Sequence, residues 1–283
     1  MASPIARSYL FVPANRPERF DKALAAGADA VIVDLEDAVP DADKLQARNA
    51  LAGWLSPAKR ILVRINHAQS EWFRDDLDLC RGAGVEGIVL PKAERVEDIA
   101  TVVQDIGSGK LVIPLVETAL GLFDAVAIAR APQVQRLAFG SIDFQLDLGI
   151  RGEHEELLYF RSHLVLASRL AGLQPPIDGV TTALDDAKQL LDDSNRARRL
   201  GFGAKLCIHP KQLAPVHQCF SPSAEEIAWA RRVLDAARAA KGAAVALDGR
   251  MIDRPVILKA EEILASADKL KFPRAEVQRL AGV

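Results

Sequence analysis

The sequence predicts an α/β fold, a (β/α)8 TIM barrel carrying a C-terminal helical and hairpin appendage. Three observations point there. Eight short β-branched runs recur along residues 8–210, several of them apolar throughout, as strands buried on both faces of a parallel sheet are. Segments rich in Ala, Leu, Arg and Glu at helical spacing lie between them, so strand and helix alternate eight times. The chain has 283 residues, and a barrel of this type takes about 250. An open doubly wound sheet is the alternative that the same alternation allows.

In chain order the runs are Ser8–Pro13, Ala30–Glu36, Arg60–Ile65, Gly87–Lys92, Leu111–Glu117, Arg136–Asp143, Ile177–Val180 and Ala204–Pro210. Each has strand length and is too short for a stable helix. Between them Glu18–Ala26 and Glu94–Asp105 read as helices. After Pro210 the pattern changes. Ala224–Lys241 has the spacing of an amphipathic helix, Asp248-Gly249 is a hairpin-turn signal between two apolar runs, and a last helix over Leu258–Ala267 precedes a charged tail. Residues 1–210 are thus expected to form the barrel. Residues 211–283, too few for much core of their own, are expected to pack on it and on a neighbouring subunit.

Composition narrows the partners. Lys and Arg number 36 against 38 Asp and Glu, a net charge of −2, without the basic excess that marks a nucleic-acid binder. The cysteines Cys80, Cys207 and Cys219 are widely spaced with no CxxC pair, which fits a reducing compartment and a cytoplasmic protein. The apolar run Tyr9–Val12 stops at Pro13, too short for a signal-peptide core, and no window reaches the length of a membrane span.

The chemistry of such barrels sits at the C-terminal strand ends. Here the second run ends in Asp34, Glu36 and Asp37. The third ends in Arg64, with Asn66 and His67 beyond; the fourth in Lys92, the fifth in Glu117, the sixth in Asp143 and the eighth in His209. Five acids from three strands would repel one another at one mouth. A hard divalent cation removes that conflict, and carboxylate and water oxygens suit Mg²⁺. Glu117 and Asp143, each terminating an apolar run, are the best ligand candidates. Asp34, Glu36 and Asp37 either hold the metal's waters or pair with arginines. Arg64 is suited to grip a substrate carboxylate through two parallel hydrogen bonds, or to bridge Glu36 or Asp37 instead. Arg16 is a second carboxylate or phosphate contact, or a solvated surface residue. Lys92 reads as a cation neutralising the acidic rim, with a Schiff-base nucleophile as its rival role. Residues 82–87 match GxGxxG but run from helix into strand, the reverse of a dinucleotide fingerprint. Ser141 has no evident catalytic partner.

The segments RSYLFVPANRPERFDKAL, VDLEDAVPDADKLQARNAL, VRIN, VLPKAE, PLVETALG, FGSIDF, CIHPKQ and GRMIDRPV, in that order, resemble the citrate lyase beta-subunit-like proteins. Those belong to the HpcH/HpaI aldolase superfamily, together with malyl-CoA and citramalyl-CoA lyases. The resemblance covers about residues 7–260. It implies a barrel whose Mg²⁺ (or Mn²⁺) is bound by Glu117 and Asp143, with Arg64 on the substrate carboxylate and Arg16 close by. Asp34, Glu36 and Asp37 would line the metal's water shell. Asp253 of the MID element would be a proton-handling acid supplied by a neighbouring subunit of a homotrimer or hexamer. One position departs from the pattern. Ile142 precedes Asp143, where many members carry a polar or acidic residue, and this bears on the substrate subclass.

The expected function is carbon–carbon lyase chemistry of EC 4.1.3 type. A 3-hydroxyacyl-CoA such as citramalyl-, malyl- or citryl-CoA would be cleaved to a 2-keto acid and acetyl-CoA, or formed from them. The rivals are a citrate lyase beta subunit acting on an acyl-carrier thioester, a barrel that binds keto acid or CoA without turnover, and a Schiff-base aldolase using Lys92.

Overall fold

A computed structural model describes residues 6–240 and 245–270. Its strands are β1 (Ser8–Pro13), β2 (Ala30–Asp34), β3 (Ile61–Arg64), β4 (Val85–Leu90), β5 (Leu111–Val116), β6 (Ala138–Phe139), β7 (Ile177–Asp178), β8 (Ala204–Cys207), β9 (Val245–Leu247) and β10 (Arg250–Ile252). The helices are α1 (Phe20–Ala25), α2 (Lys44–Trp54), α3 (Phe73–Cys80), α4 (Val96–Ile106), α5 (Ala119–Phe123), α6 (Ala125–Ala129), α7 (Ser141–Leu148), α8 (Leu158–Leu170), α9 (Ala187–Leu200), α10 (Leu213–Cys219), α11 (Ala224–Ala239) and α12 (Arg254–Leu270). Strands β1 to β8 hydrogen-bond in sequence order and close as β8 pairs with β1, Leu206 against Tyr9. The barrel is therefore formed and the open sheet is not.

Two compact units emerge, Ala6–His217 and a second from Gln218 onward. The boundary falls within α10, seven residues beyond the division at Pro210. In the first unit Tyr9, Ile32, Leu62, Val89, Leu115, Ala138, Ile177 and Leu206 fill the barrel interior. Alternation sends their neighbours outward to the helices. On that outer side Asp178, fully buried, pairs with Arg161 Nε at 2.9 Å and with Lys205 Nζ at 3.7 Å. Helix α4 buries Ile99, Val102 and Ile106 at three- and four-residue spacing and stops at Gly107. Gly84 explains the misleading glycine motif. It turns into β4 at φ +97°, and a Cβ there would stand 2.2 Å from the Ser56 carbonyl oxygen.

The second unit holds α11, the β9–β10 hairpin and α12 around Ala230, Val233, Ile252 and Ala260. Helix α11 starts with a reciprocal capping box between Ser223 and Glu226. Asp248 and Gly249 both take positive φ, 50° and 73°, as a tight hairpin turn requires. Helix α12 starts four residues before the expected Leu258, because Asp253 caps it: its Oδ1 accepts from Val256 N at 3.3 Å. The expected end of α11 at Lys241 and the charged tail from residue 271 lie outside the described residues.

Candidate active site

Pleat alternation builds the mouth of the barrel. Ile32, Leu62, Leu115, Ala138 and Leu206 face inward. Two residues further along, on the same side, come Asp34, Arg64, Glu117, Gly140 and Ile208. These five line a cavity of about 540 Å³. Charge lies on the side formed by β2, β3 and β5 and at Asp143 of α7, whereas Phe11, Phe139, Val180 and Leu206 make an apolar stretch of the wall.

Arg64 is nine-tenths buried and ion-paired on two sides. Nε and Nη2 donate to Asp34 at 2.7 and 2.6 Å, and Nη1 lies 3.0 Å from Glu36 and 3.4 Å from Asp37. Its guanidinium stacks 4.9 Å from the Phe11 ring centre. Burial opposes its charge, but the Asp34, Glu36 and Asp37 carboxylates outweigh that and raise its pKa. The sequence offered Glu36 or Asp37 as bridging partners. The two-pronged contact instead goes to Asp34, the acid directly across the β2–β3 register.

Glu117 is buried at 2% exposure. Its Oε1 accepts from the backbone N of Lys92 at 2.7 Å, and its Oε2 is buried with no hydrogen-bond partner among the described residues. Burial pushes this carboxyl up to about 8, and the Glu36 charge pushes the same way. Burial likewise lifts Glu36 to about 7, against the pull of Arg64. Lys92 lies 3.5 Å from Glu36. Burial disfavours its ammonium, but Glu36, Glu117 and Asp37 overcome this and raise its pKa.

Asp143 does not end a strand. Strand β6 stops at Phe139, Gly140 caps α7, and Asp143 lies in the first turn of that helix, half-buried and lining the cavity. Its carboxyl is raised by burial and by Asp37. The apolar run was misleading because Phe144, which extends it, packs from the helix against Phe139. Arg16 stands exposed three residues beyond β1. His209 caps the turn at Pro210, its Nδ1 accepting from Lys211 N. Asp253 belongs to the second unit as the cap of α12. Sequence reasoning missed Gly140 and the apolar wall. It noted Ser141 without a catalytic partner; its Oγ lies buried in the cavity wall and makes no hydrogen bond among the described residues.

Among the described residues no three Asp, Glu, His or Cys side chains form a ready-made metal cage. Mg²⁺ does not need one, since it keeps several waters and takes one or two carboxylates. A buried, unpartnered Glu117 Oε2 beside Asp143 fits that requirement.

Residues 7–210 match the HpcH/HpaI aldolase/citrate lyase family. The chain belongs to that family. A citrate lyase subunit beta-like protein of Deinococcus radiodurans is 36% identical over 277 residues, spanning 92% of this chain and 96% of its own. A (3S)-malyl-CoA thioesterase of Cereibacter sphaeroides is 34% identical over 275 residues, 93% and 95% of the two chains. CitE of Mycobacterium tuberculosis, solved with magnesium, acetoacetate and coenzyme A, superposes with a TM-score of 0.83 at 38% identity, over 93% of this chain and 98% of that one. A citrate lyase beta subunit from M. tuberculosis, complexed with oxaloacetate and magnesium, gives 0.70 at 35% identity, over 78% and 100%. The family is one of lyases and CoA-acting enzymes, and this barrel is an enzyme of that broad type.

Proposed function

We propose that the protein is a Mg²⁺-dependent carbon–carbon lyase of EC 4.1.3 type. It cleaves a 3-hydroxyacyl-CoA such as malyl-, citramalyl- or citryl-CoA into a 2-keto acid and acetyl-CoA, or runs the reverse condensation. The observation that carries this reading is the buried Glu117 Oε2, unpartnered among the described residues and lining the same cavity as Asp143. The magnesium, keto-acid and coenzyme A complexes of related CitE proteins support it.

Glu117 and Asp143 would hold Mg²⁺, with Mn²⁺ as a substitute, and Glu36 and Asp37 would accept hydrogen bonds from its waters, whereas Asp34, whose two oxygens already accept from Arg64, Glu36 N and Ala38 N, would hold Arg64 beside them. Bound there, the ion would serve as a Lewis acid, favouring loss of the substrate's 3-hydroxyl proton and polarising the keto-acid oxygens. Arg64 faces the substrate carboxylate through the Nη2 hydrogen not donated to Asp34 and through Nη1, which the substrate would share with Glu36 and Asp37, with Arg16 as a second contact. The hydroxyl proton leaves to the carboxylate rim, and the C2–C3 bond breaks as the keto carbonyl forms. The bonding pair passes to C2 of the acetyl thioester, which Asp253 protonates. Lys92 offsets the acidic rim. We place Asp253 at the mouth of a neighbouring barrel in a homotrimer or hexamer, and the protein in the cytoplasm, where its three buried cysteines stay reduced. No described helix is long and apolar enough to cross a membrane.

Two other readings have specific support. Thioester hydrolysis is favoured by the (3S)-malyl-CoA thioesterases among the relatives. An acyl-carrier substrate is favoured by the citrate lyase subunit beta of Leuconostoc mesenteroides, 30% identical over 283 residues. One assay separates them. The purified chain is given malyl-, citramalyl- and citryl-CoA with Mg²⁺ or with EDTA, and products are resolved by chromatography. Acetyl-CoA and keto acid, abolished by EDTA, are expected. Free CoA with a hydroxy acid would favour hydrolysis. Inactivity on every CoA thioester would favour the carrier-bound substrate, and full activity in EDTA would exclude the metal mechanism.

A further inference from the structure

Glu117 is held by backbone on both sides. On one side Lys92, a non-glycine residue, takes the left-handed conformation at φ 45°, which persists only where surroundings enforce it. That turn aims the Lys92 N–H at Glu117 Oε1, 2.7 Å away. On the other side lies Gly140, whose φ of −88° any residue can adopt, so its backbone alone does not demand glycine. Space does. A Cβ at position 140 would stand 2.5 Å from Glu117 Oε2 and 2.6 Å from Glu117 Cβ. The second contact is with the root of the side chain, so rotating the carboxylate cannot relieve it.

We propose that the Lys92 backbone and the bare Gly140 together form a cradle that orients Glu117 for metal, making both of them positioning residues for the ion. The inference rests on the reading of Glu117 as a metal ligand. It also separates two functions of Lys92: the ammonium faces Glu36, whereas the N–H, fixed by the left-handed turn, sets the direction in which Glu117 presents Oε2. Glycine adopts that conformation without penalty, whereas a β-branched residue resists it.

The test measures Mg²⁺ binding by calorimetry, and Mn²⁺ binding by electron paramagnetic resonance, on full-length wild type, Gly140→Ala, Lys92→Gly and Lys92→Val. Circular dichroism and thermal unfolding in EDTA accompany each. Gly140→Ala should bind at least tenfold more weakly than wild type. Lys92→Gly and Lys92→Val both lack the ammonium, so their difference isolates the backbone. The glycine variant should bind at least tenfold more tightly than the valine variant. Wild-type affinity in Gly140→Ala, or equal affinities in the two Lys92 variants, would overturn the cradle while leaving Glu117 a ligand. If Gly140→Ala fails to fold, the Lys92 pair decides alone. A wild-type protein that binds neither ion would overturn the ligand reading and the cradle with it.

Discussion

Arg64 turns the paired-donor edge of its guanidinium onto Asp34, Nε to Oδ1 at 2.7 Å and Nη2 to Oδ2 at 2.6 Å. Asp34 also accepts from the backbone N of Glu36 at 2.9 Å and of Ala38 at 3.2 Å. One carboxylate therefore fixes both the turn after β2 and the arginine of β3. Arg64 is oriented before any substrate arrives, which limits the side-chain ordering that binding must otherwise impose.

Arg64→Lys keeps the charge and loses the fork. Binding of pyruvate in the presence of Mg²⁺ should weaken about tenfold or more, read by calorimetry. Denaturant unfolding should show a loss of about 1.5–3 kcal/mol for the missing charge-assisted bonds. Unchanged keto-acid affinity would reduce Arg64 to a structural ion pair.

Glu117→Gln and Asp143→Ala should each abolish stabilisation by metal. At a Mg²⁺ concentration a hundredfold above its Kd, wild type should gain about 2.7 kcal/mol, seen as a rise in Tm that neither variant shows. A normal rise in either would remove that residue from the ligand set.

The metal-free protein should lose stability as pH rises. Glu117 and Glu36 are held at about 8 and about 7, above the ordinary value of 4.5. The folded state thus binds more protons than the unfolded one between these limits. Their favourable contribution is complete below about pH 4.5 and is lost as pH climbs through 7 and 8. Urea unfolding in EDTA at pH 5, 6, 7 and 8 checks this. Glu117→Gln should flatten the upper part of the profile, and a wild-type profile rising from pH 6 to 8 would contradict it.

Asp253→Ala should lower turnover far more than it weakens Mg²⁺ binding. Mixing inactive Asp253→Ala with inactive Glu117→Ala and allowing subunits to exchange should restore part of the activity, because some sites regain both groups. No recovery after demonstrated exchange would confine Asp253 to its own chain, or to capping α12.

Asp178→Asn should destabilise the barrel by about 3–5 kcal/mol, because it leaves Arg161 and Lys205 buried without their shared counter-charge. Urea unfolding at pH 7 measures it. A loss below 1 kcal/mol would mean that water already reaches the pair.

The eight strands and the hairpin were legible because short β-branched runs and the Asp248-Gly249 turn are local signals. Asp34, Arg64 and Glu117 were legible for the same reason: each stands two residues beyond an inward-facing apolar residue, so pleating alone aims it at the mouth. Asp143 misled because an apolar run looks alike in a short strand and in the first turn of a helix, and only Phe144 packing on Phe139 decides between them.

What the sequence by itself determined is the alternation of strand and helix and which side chains reach the rim. Tertiary pairing of neighbouring strands decided the rest. It put Asp34 opposite Arg64 across thirty residues, brought the Lys92 N–H to Glu117 across twenty-five, and laid Gly140 against the Glu117 side chain. It also buried Asp178 between Arg161 and Lys205. Contacts between adjacent strands depend on register and on the removal of water from both partners. Neither is written in the spacing of residues along one strand.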